Sequence, residues 1–356
     1  MLTEEQIRQA LTQVMDPELG RDIVSLGMVR DINITEQNVR VTLALTTLAC
    51  PLKQEIAESV QAAIEALGEP TDIEVALTEM NKAERDHLLD QSPAPKEGSA
   101  ALVNHVGHVL AVMSGKGGVG KSLVTGLLAA ELSRRGLSVG ILDADITGPS
   151  IPKMFGLTGQ PVGTPFGIAP AVSKTGIKVM SINLLLPSED EAVIWRGPLI
   201  AGAIKQFWGD VVWGRLDYLL VDLPPGTADA PLTVMQSLPL HGVVLVTSPQ
   251  DLAGMVVRKA ARMANLLGVP LLGIVENMSY AVCPHCGHKY KVFGASHAAG
   301  LTETLGTPLL GRIPLDPSIS DLSDHGRIED YILEGLGTLV DELTARMPEQ
   351  ATTPKF

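Results

Sequence analysis

The segment Ser114–Ser122, with the sequence SGKGGVGKS, carries residues that could bind a nucleoside triphosphate. Gly115, Gly120, Lys121 and Ser122 satisfy the pattern G-x-x-x-x-G-K-[ST]. In that pattern the lysine reaches the β and γ phosphate oxygens and the hydroxyl group ligates Mg²⁺. Backbone N–H groups at the start of the following helix surround the phosphates. The residues expected to bind the nucleotide in this loop are Gly115, Gly117, Gly118, Val119, Gly120, Lys121 and Ser122.

The same loop also fits a dinucleotide-binding pattern. Gly115, Gly117 and Gly120 satisfy G-x-G-x-x-G. Asp143 and Asp145 follow the next predicted strand, where a dehydrogenase binds the ribose of its cofactor. A dinucleotide fold does not require Lys-Ser after its third glycine, whereas triphosphate binding requires both the cation and the magnesium ligand. We therefore favour a nucleoside triphosphate with Mg²⁺ and keep an NAD-dependent dehydrogenase as the alternative.

Acidic residues at strand ends complete the predicted magnesium site. Asp222 ends the apolar run LDYLLVD and precedes the loop LPPGTAD, where a γ-phosphate could be sensed. We predict that Asp222 and Asp143 lie at the magnesium and that Asp145 orients the attacking water. The alternatives are that Asp222 only caps a turn, and that Asp143 or Asp145 is the N-cap of a helix in PSIPKMFG.

Cys283 and Cys286 form the sequence CPHCGH in a loop after the predicted strand VPLLGIVE. Such a pair supplies half of a four-sulfur site, and both Zn²⁺ and a 4Fe-4S cluster take four ligands. The chain has no second C-x-x-C, so four sulfur ligands require two chains that meet at a two-fold axis. His285 or His288 could add a nitrogen ligand, and the residue types leave zinc and a cluster open. A redox disulfide is less favoured because the pair lies outside a thioredoxin context.

Cys50 is the third cysteine, and it precedes Pro51 at the predicted start of a helix. The partial positive charge of a helix N-terminus favours a thiolate there. Cys50 is therefore either a reactive, cluster-transferring thiol or a small buried core residue.

Short apolar runs and helical segments alternate along the part of the chain that must position these residues. The predicted strands are HVLAVMS, SVGILDA, LDYLLVD, HGVVLVT and VPLLGIVE, with helices such as the one from Lys121 to Arg135 between them. This alternation predicts an α/β fold with a mostly parallel, doubly wound sheet of the P-loop NTPase type. Ligands of such sheets bind at the carboxyl ends of the strands.

A small α+β domain is predicted before this sheet. Thr3 and Gln6 form a possible capping box for a first helix, a half-buried strand starts at Val39, and a second helix opened by Pro51 is closed by Gly68. Ser, Pro, Lys, Glu and Gly then replace the periodic apolar residues, which indicates a linker. The predicted boundaries are 1–88 for the small domain, 89–102 for the linker, 103–348 for the P-loop domain with the C-x-x-C pair, and 349–356 for a flexible tail.

The composition excludes several classes of protein. Among 356 residues, 45% are hydrophobic and 19% charged, which is typical of a globular protein and not of a disordered chain. The excess of 40 Asp and Glu over 27 Lys and Arg gives a net charge of −13, which disfavours nucleic acid or an anionic membrane as the main partner. No apolar stretch approaches the roughly 20 residues of a membrane span. Three cysteines and an opening without a basic and then apolar leader predict a cytoplasmic protein.

The ordered motifs resemble a known family. Lys116 makes the loop GKGGVGKS a deviant Walker A motif, similar to the MinD/ParA/nitrogenase iron-protein class of dimeric ATPases. The first domain is similar to the small domain of iron–sulfur maturation factors, through DPELGRDIVSLGMV and TTLACP. Over residues 104–345 the chain resembles the Mrp/ApbC iron–sulfur cluster carriers, through DADITGPSIPKMFG, WRGP, DYLLVDLPPGTAD, VTSPQ, ENMSY, CPHCG and RIPLDPSI.

The resemblance implies a homodimeric, Mg²⁺-dependent ATPase that holds a 4Fe-4S cluster between its subunits and passes it to apoproteins. Iron–sulfur scaffold proteins are the further partners that it implies, without nucleic acid or membrane. It also implies that Lys116 reaches the nucleotide of the partner subunit, and that Asn277 and Pro314 lie near the adenine. Ala228 departs from the family pattern, which has glycine there.

Two other functions remain as alternatives to this resemblance. A positioning ATPase of the MinD/ParA type, with a structural zinc site, ranks second, because the tail DELTARMPEQATTPKF has no basic amphipathic face for a membrane. The NAD-dependent dehydrogenase ranks third.

Overall fold

The computed structural model of the chain describes residues 2–15, 22–35, 38–45, 53–68, 72–80, 100, 103–145, 148, 150–164, 166–186, 197–227, 229–250 and 253–354. It contains two compact units, one of Met1–Asn104 with Gly163–Ile168 and one of His105–Val162 with Ala169–Phe356. Cys50 and all but Ala100 of the predicted linker lie outside the described residues. The domain boundaries given above stay a prediction.

The described part of the smaller unit is an α+β arrangement of two helices, a three-stranded sheet and a short two-stranded sheet. Helix α1 begins after Thr3, whose hydroxyl accepts from the backbone of Gln6 while the Gln6 side chain accepts from the Thr3 backbone, so the predicted capping box is confirmed. The middle strand β2 pairs antiparallel with β1 and parallel with β3. The elements are α1 (Glu4–Leu11), β1 (Val29–Ile34), β2 (Asn38–Leu45), α2 (Lys53–Glu65), β3 (Asp72–Glu79), β6 (Gly163–Thr164) and β7 (Gly167–Ile168). Its core includes the buried side chains of Ile7, Leu11, Val41, Leu43, Val60 and Ile64.

The larger unit is built on an eight-stranded sheet with the order β15-β12-β11-β4-β10-β5-β9-β8. All pairings in it are parallel except that of the edge strand β8 with β9, so the predicted mostly parallel α/β fold is confirmed. The strands of the unit are β4 (His105–Ser114), β5 (Val139–Asp143), β8 (Ala171–Val172), β9 (Lys178–Ser181), β10 (Arg215–Asp222), β11 (Gly242–Thr247), β12 (Leu271–Glu276), β13 (Ala281–Val282), β14 (Lys289–Tyr290) and β15 (Leu309–Arg312).

Helices pack against the sheet, and two of its strands are buried along their whole length. All residues of β5 and of β11 are buried, as expected for parallel strands with helices on both faces. The helices are α3 (Lys121–Arg134), α4 (Ile151–Met154), α5 (Gly197–Gly209), α6 (Asp229–Ser237), α7 (Ala253–Leu267), α8 (Ala298–Leu305), α9 (Pro317–Asp324) and α10 (Leu336–Ala345). None of the helices in the described ranges has the length and apolar character needed to cross a lipid bilayer.

The strand order decides between the two interpretations of the glycine-rich loop. In a dinucleotide-binding sheet the strand before the loop and the next strand along the chain are neighbours. Here β10 lies between β4 and β5, because Leu220 pairs with Leu110 on one side and with Ile141 on the other. The dehydrogenase alternative is therefore not supported by the topology.

The end of the chain contacts the larger unit at Thr352. Its backbone N–H and its hydroxyl group both donate to the carbonyl oxygen of Leu240, over 2.8 and 3.0 Å. These bonds lie within the segment that the sequence predicts to be a flexible tail, so this part of the segment is held in place.

Candidate functional site

The glycine-rich loop connects the end of β4 to the start of α3. Gly118 and Gly120 both have a φ of 80°, a left-handed conformation that residues with a side chain rarely adopt. A Cβ atom at Gly120 would lie 2.1 Å from Nδ2 of Asn277, whereas one at Gly118 would meet no atom within 4 Å. The loop is therefore packed against the protein at Gly120 and open at Gly118. Its open side and the N-terminus of α3 form a site suited to an anion.

Lys121 and Asp222 form a buried ion pair at this loop. Lys121 Nζ lies 2.7 Å from Oδ2 of Asp222 and 3.7 Å from Oδ2 of Asp145. The hydroxyl group of Ser122 donates to the same Asp222 oxygen, over 2.5 Å. Asp222 is fully buried, and a buried carboxylate is stable only when it is paired and hydrogen-bonded. Asp222 therefore contacts the predicted phosphate-binding residues Lys121 and Ser122, and its role at a magnesium ion stays a prediction.

Asp143 lies at the end of β5 and is also fully buried. Burial, together with the negative charge of Asp222, raises the pKa of Asp143 to about 8, although the charge of Lys121 acts in the opposite direction. A divalent cation next to these carboxylates would favour the ionised form. The backbone N–H of Asp145 donates to Asp143 Oδ1 over 3.2 Å. Ser150 is the N-cap of α4, so neither aspartate caps that helix.

Two hydroxyl groups complete this acidic cluster and were missed by the sequence reasoning. Thr125 Oγ1 donates to Asp222 Oδ1 over 2.8 Å, and Ser181 Oγ donates to Asp143 Oδ2 over 3.0 Å. Thr125 follows Lys121 by four residues, about one turn of α3. This spacing places both side chains on one face of the helix and could have indicated Thr125 from the sequence. Ser181 ends β9, the position at which polar side chains of a parallel sheet meet ligands.

Lys116 lies in the exposed part of the glycine-rich loop, and the loop after β10 approaches that part at Pro225, 3.9 Å from the position of a Cβ at Gly117. Lys116 is exposed, and the backbone N–H of Gly226 donates to the carbonyl oxygen of Ser114 over 3.0 Å. The loop LPPGTAD is thereby joined to the phosphate-binding segment. Ala228, the departure from the family pattern, lies outside the described residues.

Asn277 packs against the glycine-rich loop and is hydrogen-bonded to it. It is 1% exposed, and its Nδ2 donates to the carbonyl oxygen of Val119 over 2.9 Å while its Oδ1 accepts from the backbone N–H of Met278. Pro314 is buried in the neighbouring loop after β15. The expected proximity of Asn277 and Pro314 to an adenine stays a prediction.

Cys283 and Cys286 lie in a turn between the short antiparallel strands β13 and β14. The backbone N–H of Cys283 donates to the carbonyl oxygen of His288, and that of Gly287 donates to the carbonyl oxygen of Cys283, both over 2.9 Å. Backbone N–H groups of His285 and Cys286 lower the pKa of the Cys283 thiol. Cys286 is exposed and Cys283 half-buried. We call residues 281–290 the cysteine knuckle.

The described residues of one chain offer no further ligand beside this pair. Nowhere in those residues do three or more His, Cys, Asp or Glu side chains form a group that could hold a metal ion. For magnesium this is the expected arrangement, because Mg²⁺ is usually bound by one or two carboxylates together with substrate phosphates. For a four-ligand metal site the pair is incomplete.

Comparison with known families identifies both units. Residues 105–341 match the family described as NUBPL iron-transfer P-loop NTPase, and residues 4–77 match the family described as iron-sulfur cluster assembly protein. A Synechocystis protein named iron-sulfur cluster carrier protein is 42% identical over 331 residues, which cover 92% of this chain and 91% of that protein. A Methanocaldococcus jannaschii protein of the same name is 51% identical over 226 residues, covering 63% of this chain and 78% of its own.

Two solved structures are similar to about two thirds of the chain. A nucleotide-binding protein from Archaeoglobus fulgidus, in complex with ADP, has 48% sequence identity and a TM-score of 0.59, with 65% of this chain and 90% of that chain covered. The cell division ATPase MinD of Pyrococcus furiosus shares the fold at 22% identity, with a TM-score of 0.52 and coverage of 67% of this chain and 99% of its own. The chain therefore belongs to the family of iron–sulfur cluster carrier proteins, whose larger domain is an iron-transfer P-loop NTPase.

Proposed function

We propose that this protein is a cytoplasmic homodimer that binds and hydrolyses ATP and carries a 4Fe-4S cluster to apoproteins, receiving it from iron–sulfur scaffold proteins. The observation that carries the proposal is the presence, in one unit, of the buried Lys121–Asp222 site and of a cysteine pair with half of a four-sulfur ligand set, in which Cys286 is exposed and Cys283 half-buried. The matched family and the relatives named above support the role of iron–sulfur carrier.

The residues of the glycine-rich loop fit ATP with Mg²⁺. Gly118 leaves the loop open, the N-terminus of α3 presents N–H groups, and Lys121 supplies a positive charge at the same place. The Ser122 hydroxyl and the carboxylates of Asp222 and Asp143 would hold Mg²⁺ and its water shell. Bound Mg²⁺ would supply Lewis-acid stabilisation of the charge that develops on the phosphate oxygens.

Three side chains would act in turnover. Lys121 would hold the nucleotide phosphates of its own chain, and Asp145, at 3.7 Å from Lys121 Nζ, would accept a hydrogen bond from the attacking water. Lys116, exposed on the loop, would reach the nucleotide of the partner subunit.

The cysteine knuckle would hold the cluster as cargo between two chains. Cys283 and Cys286 supply two thiolates, so one 4Fe-4S cluster needs the same pair from a second copy. Val282, Tyr290 and Val292 beside the pair are 46%, 47% and 44% exposed, an apolar surface suited to a contact between chains.

Anaerobic reconstitution with iron and sulfide tests this proposal. We expect about four irons per two chains, matched by sulfide, in a particle with the mass of a dimer. The reconstituted protein should also restore activity to an apoprotein that needs a 4Fe-4S cluster. Stoichiometric zinc in fresh protein, with no cluster formed on reconstitution, would contradict the carrier function and leave a positioning ATPase with a structural zinc site.

Asp222→Asn is expected to lower Mg²⁺-dependent ATP hydrolysis about 10–100-fold, the usual effect of changing a group behind a metal ligand. The substitution removes the negative charge that pairs with Lys121 and that accepts the hydrogen bond from the Ser122 hydroxyl. Steady-state hydrolysis as a function of Mg²⁺ concentration measures the loss. Asp217→Asn is the matched control, because Asp217 lies at the other end of β10 and accepts from the backbone of Ser138. Wild-type activity of Asp222→Asn would remove Asp222 from the magnesium site.

Deletion of residues 1–88 is expected to leave ATP hydrolysis and dimerisation intact. The second compact unit comprises His105–Val162 and Ala169–Phe356, and the glycine-rich loop and the cysteine knuckle both belong to it. Hydrolysis rate and mass in solution measure the outcome. A monomeric or insoluble product would show that the first unit is needed for assembly.

A further inference from the structure

We propose that Glu276 and Asn277 couple the glycine-rich loop to the cysteine knuckle, so that nucleotide binding changes the accessibility of Cys283 and Cys286. The inference rests on the nucleotide-binding part of the proposed function and assigns its regulation to two adjacent side chains at the end of β12. Neither side chain was part of the predicted metal or cysteine sites.

Asn277 forms the contact with the glycine-rich loop. Its Nδ2 donates to the carbonyl oxygen of Val119 and lies 2.1 Å from the position of a Cβ at Gly120, so the loop packs directly against this amide. The amide is 1% exposed, and its backbone N–H donates to the carbonyl oxygen of Thr247 over 2.8 Å. A change in the loop at Val119 must therefore displace Asn277 or break a buried hydrogen bond.

Glu276 joins the two ends of the segment that carries the cysteine knuckle. Its carboxylate, which is 1% exposed, accepts from Ser296 Oγ over 2.6 Å and from Arg312 Nε over 3.0 Å. Ser296 lies beyond the knuckle in the chain, so the segment 276–296 leaves the sheet at Glu276 and returns to the same side chain. The two ends of the loop that carries Cys283 and Cys286 therefore share one anchor.

The segment between Asn277 and the knuckle has little freedom to absorb a displacement. Met278 has a φ of 57°, and it is the one non-glycine residue with a positive φ in the described part of the chain, a strained conformation held by its surroundings. The backbone N–H of Ser279 donates to the carbonyl oxygen of Ile313 over 3.0 Å. The carbonyl oxygen of Tyr280 accepts from the backbone N–H of Leu315 over 2.7 Å.

The knuckle is also joined to this segment by a side-chain contact. Lys289 Nζ lies 4.9 Å from the ring centroid of Tyr280, a cation–π distance. A displacement of Asn277 therefore also displaces β13, because the segment between them is not a flexible turn. Binding of a nucleotide shifts the knuckle only in so far as the nucleotide prefers one position of the loop over another.

Alkylation of the cysteines in cluster-free protein tests the coupling. Iodoacetamide labelling of Cys283 and Cys286 is followed by peptide mass spectrometry, with and without Mg²⁺ and a non-hydrolysable ATP analogue at saturating concentration. We expect the analogue to change the wild-type labelling rate about fivefold or more, the lower end of ordinary coupling between sites. Ser296→Ala and Asn277→Ala should each reduce that change to less than about twofold.

The control variant is Asn265→Ala, which removes an exposed amide from α7 and should keep the wild-type response. Full retention of the nucleotide effect in Ser296→Ala overturns the coupling, and so does its retention in a folded Asn277→Ala. Ser296→Ala decides the question alone if circular dichroism shows that Asn277→Ala does not fold.

Titration calorimetry with the analogue separates this proposal from the proposed function. Wild-type protein that does not bind the analogue contradicts the ATPase function itself. Wild-type protein that binds it with unchanged labelling of both cysteines overturns only the coupling through Glu276 and Asn277.

Discussion

Replacement of Lys121 by alanine is expected to abolish productive ATP binding and to destabilise the larger unit at the same time. Lys121 is the buried cation of the glycine-rich loop, and its removal leaves Asp222 as an unpaired buried carboxylate. Breaking a buried pair by removing one partner costs about 3–5 kcal/mol. Nucleotide affinity from titration calorimetry and the free energy of unfolding from urea titration measure the two effects.

Lys116→Ala is the matched control in the same loop. Lys116 is exposed, so its loss should leave stability and ATP affinity near wild-type values but lower the rate of hydrolysis. If Lys116→Ala hydrolyses ATP at the wild-type rate, the role of Lys116 across the dimer is wrong. The double variant Lys121→Ala/Asp222→Asn should recover much of the lost stability without recovering binding, because it removes the unpaired charge.

Cys283→Ala and Cys286→Ala are each expected to eliminate the bridging cluster. In a symmetric dimer one substitution removes two of four thiolate ligands, and a 4Fe-4S cluster takes one sulfur ligand for each iron. Iron and sulfide per dimer after anaerobic reconstitution should fall from about four of each to background. ATP should still bind, because Lys121 lies after β4 and the cysteine knuckle after β12.

Two further variants make this result specific. Cys50→Ser should retain the bridging cluster, and a changed rate of transfer to an apoprotein would identify Cys50 as a transfer thiol. His285→Ala should also retain the cluster, whereas a zinc site with a histidine ligand would lose metal. A cluster that survives Cys283→Ala would contradict the two-chain ligand set.

The parts of the fold that depend on local spacing could be predicted from the sequence. The helix predicted from Lys121 to Arg135 is observed as Lys121–Arg134, and each predicted strand of the larger unit is present. The residues of the glycine-rich loop lie within one short segment, so their spacing alone indicates a phosphate-binding loop. The resemblance to iron–sulfur carrier ATPases is confirmed by the family matches.

Contacts that depend on strand order could not be predicted in this way. The bond from Thr125 to Asp222 exists because β10 lies next to β4, and an alternation of apolar runs does not encode which strands are neighbours. The same limit applies to Glu276, whose partner Arg312 comes from β15. The capping box at Thr3 was predictable because all of its atoms lie within one helical turn.

The central position of β4 has a consequence for folding during synthesis. The glycine-rich loop leaves the ribosome early, yet Asp222 follows Ser122 by 100 residues and Asn277 follows Val119 by 158. Closing such long loops is entropically costly, and pairing between distant strands is slow. A nascent chain that ends before Asp222 has the complete phosphate-binding sequence but lacks β10, the neighbour of β4. Formation of the nucleotide site therefore waits for the synthesis of β10, and the exposed strand edges of β4 before that point are where a chaperone would bind.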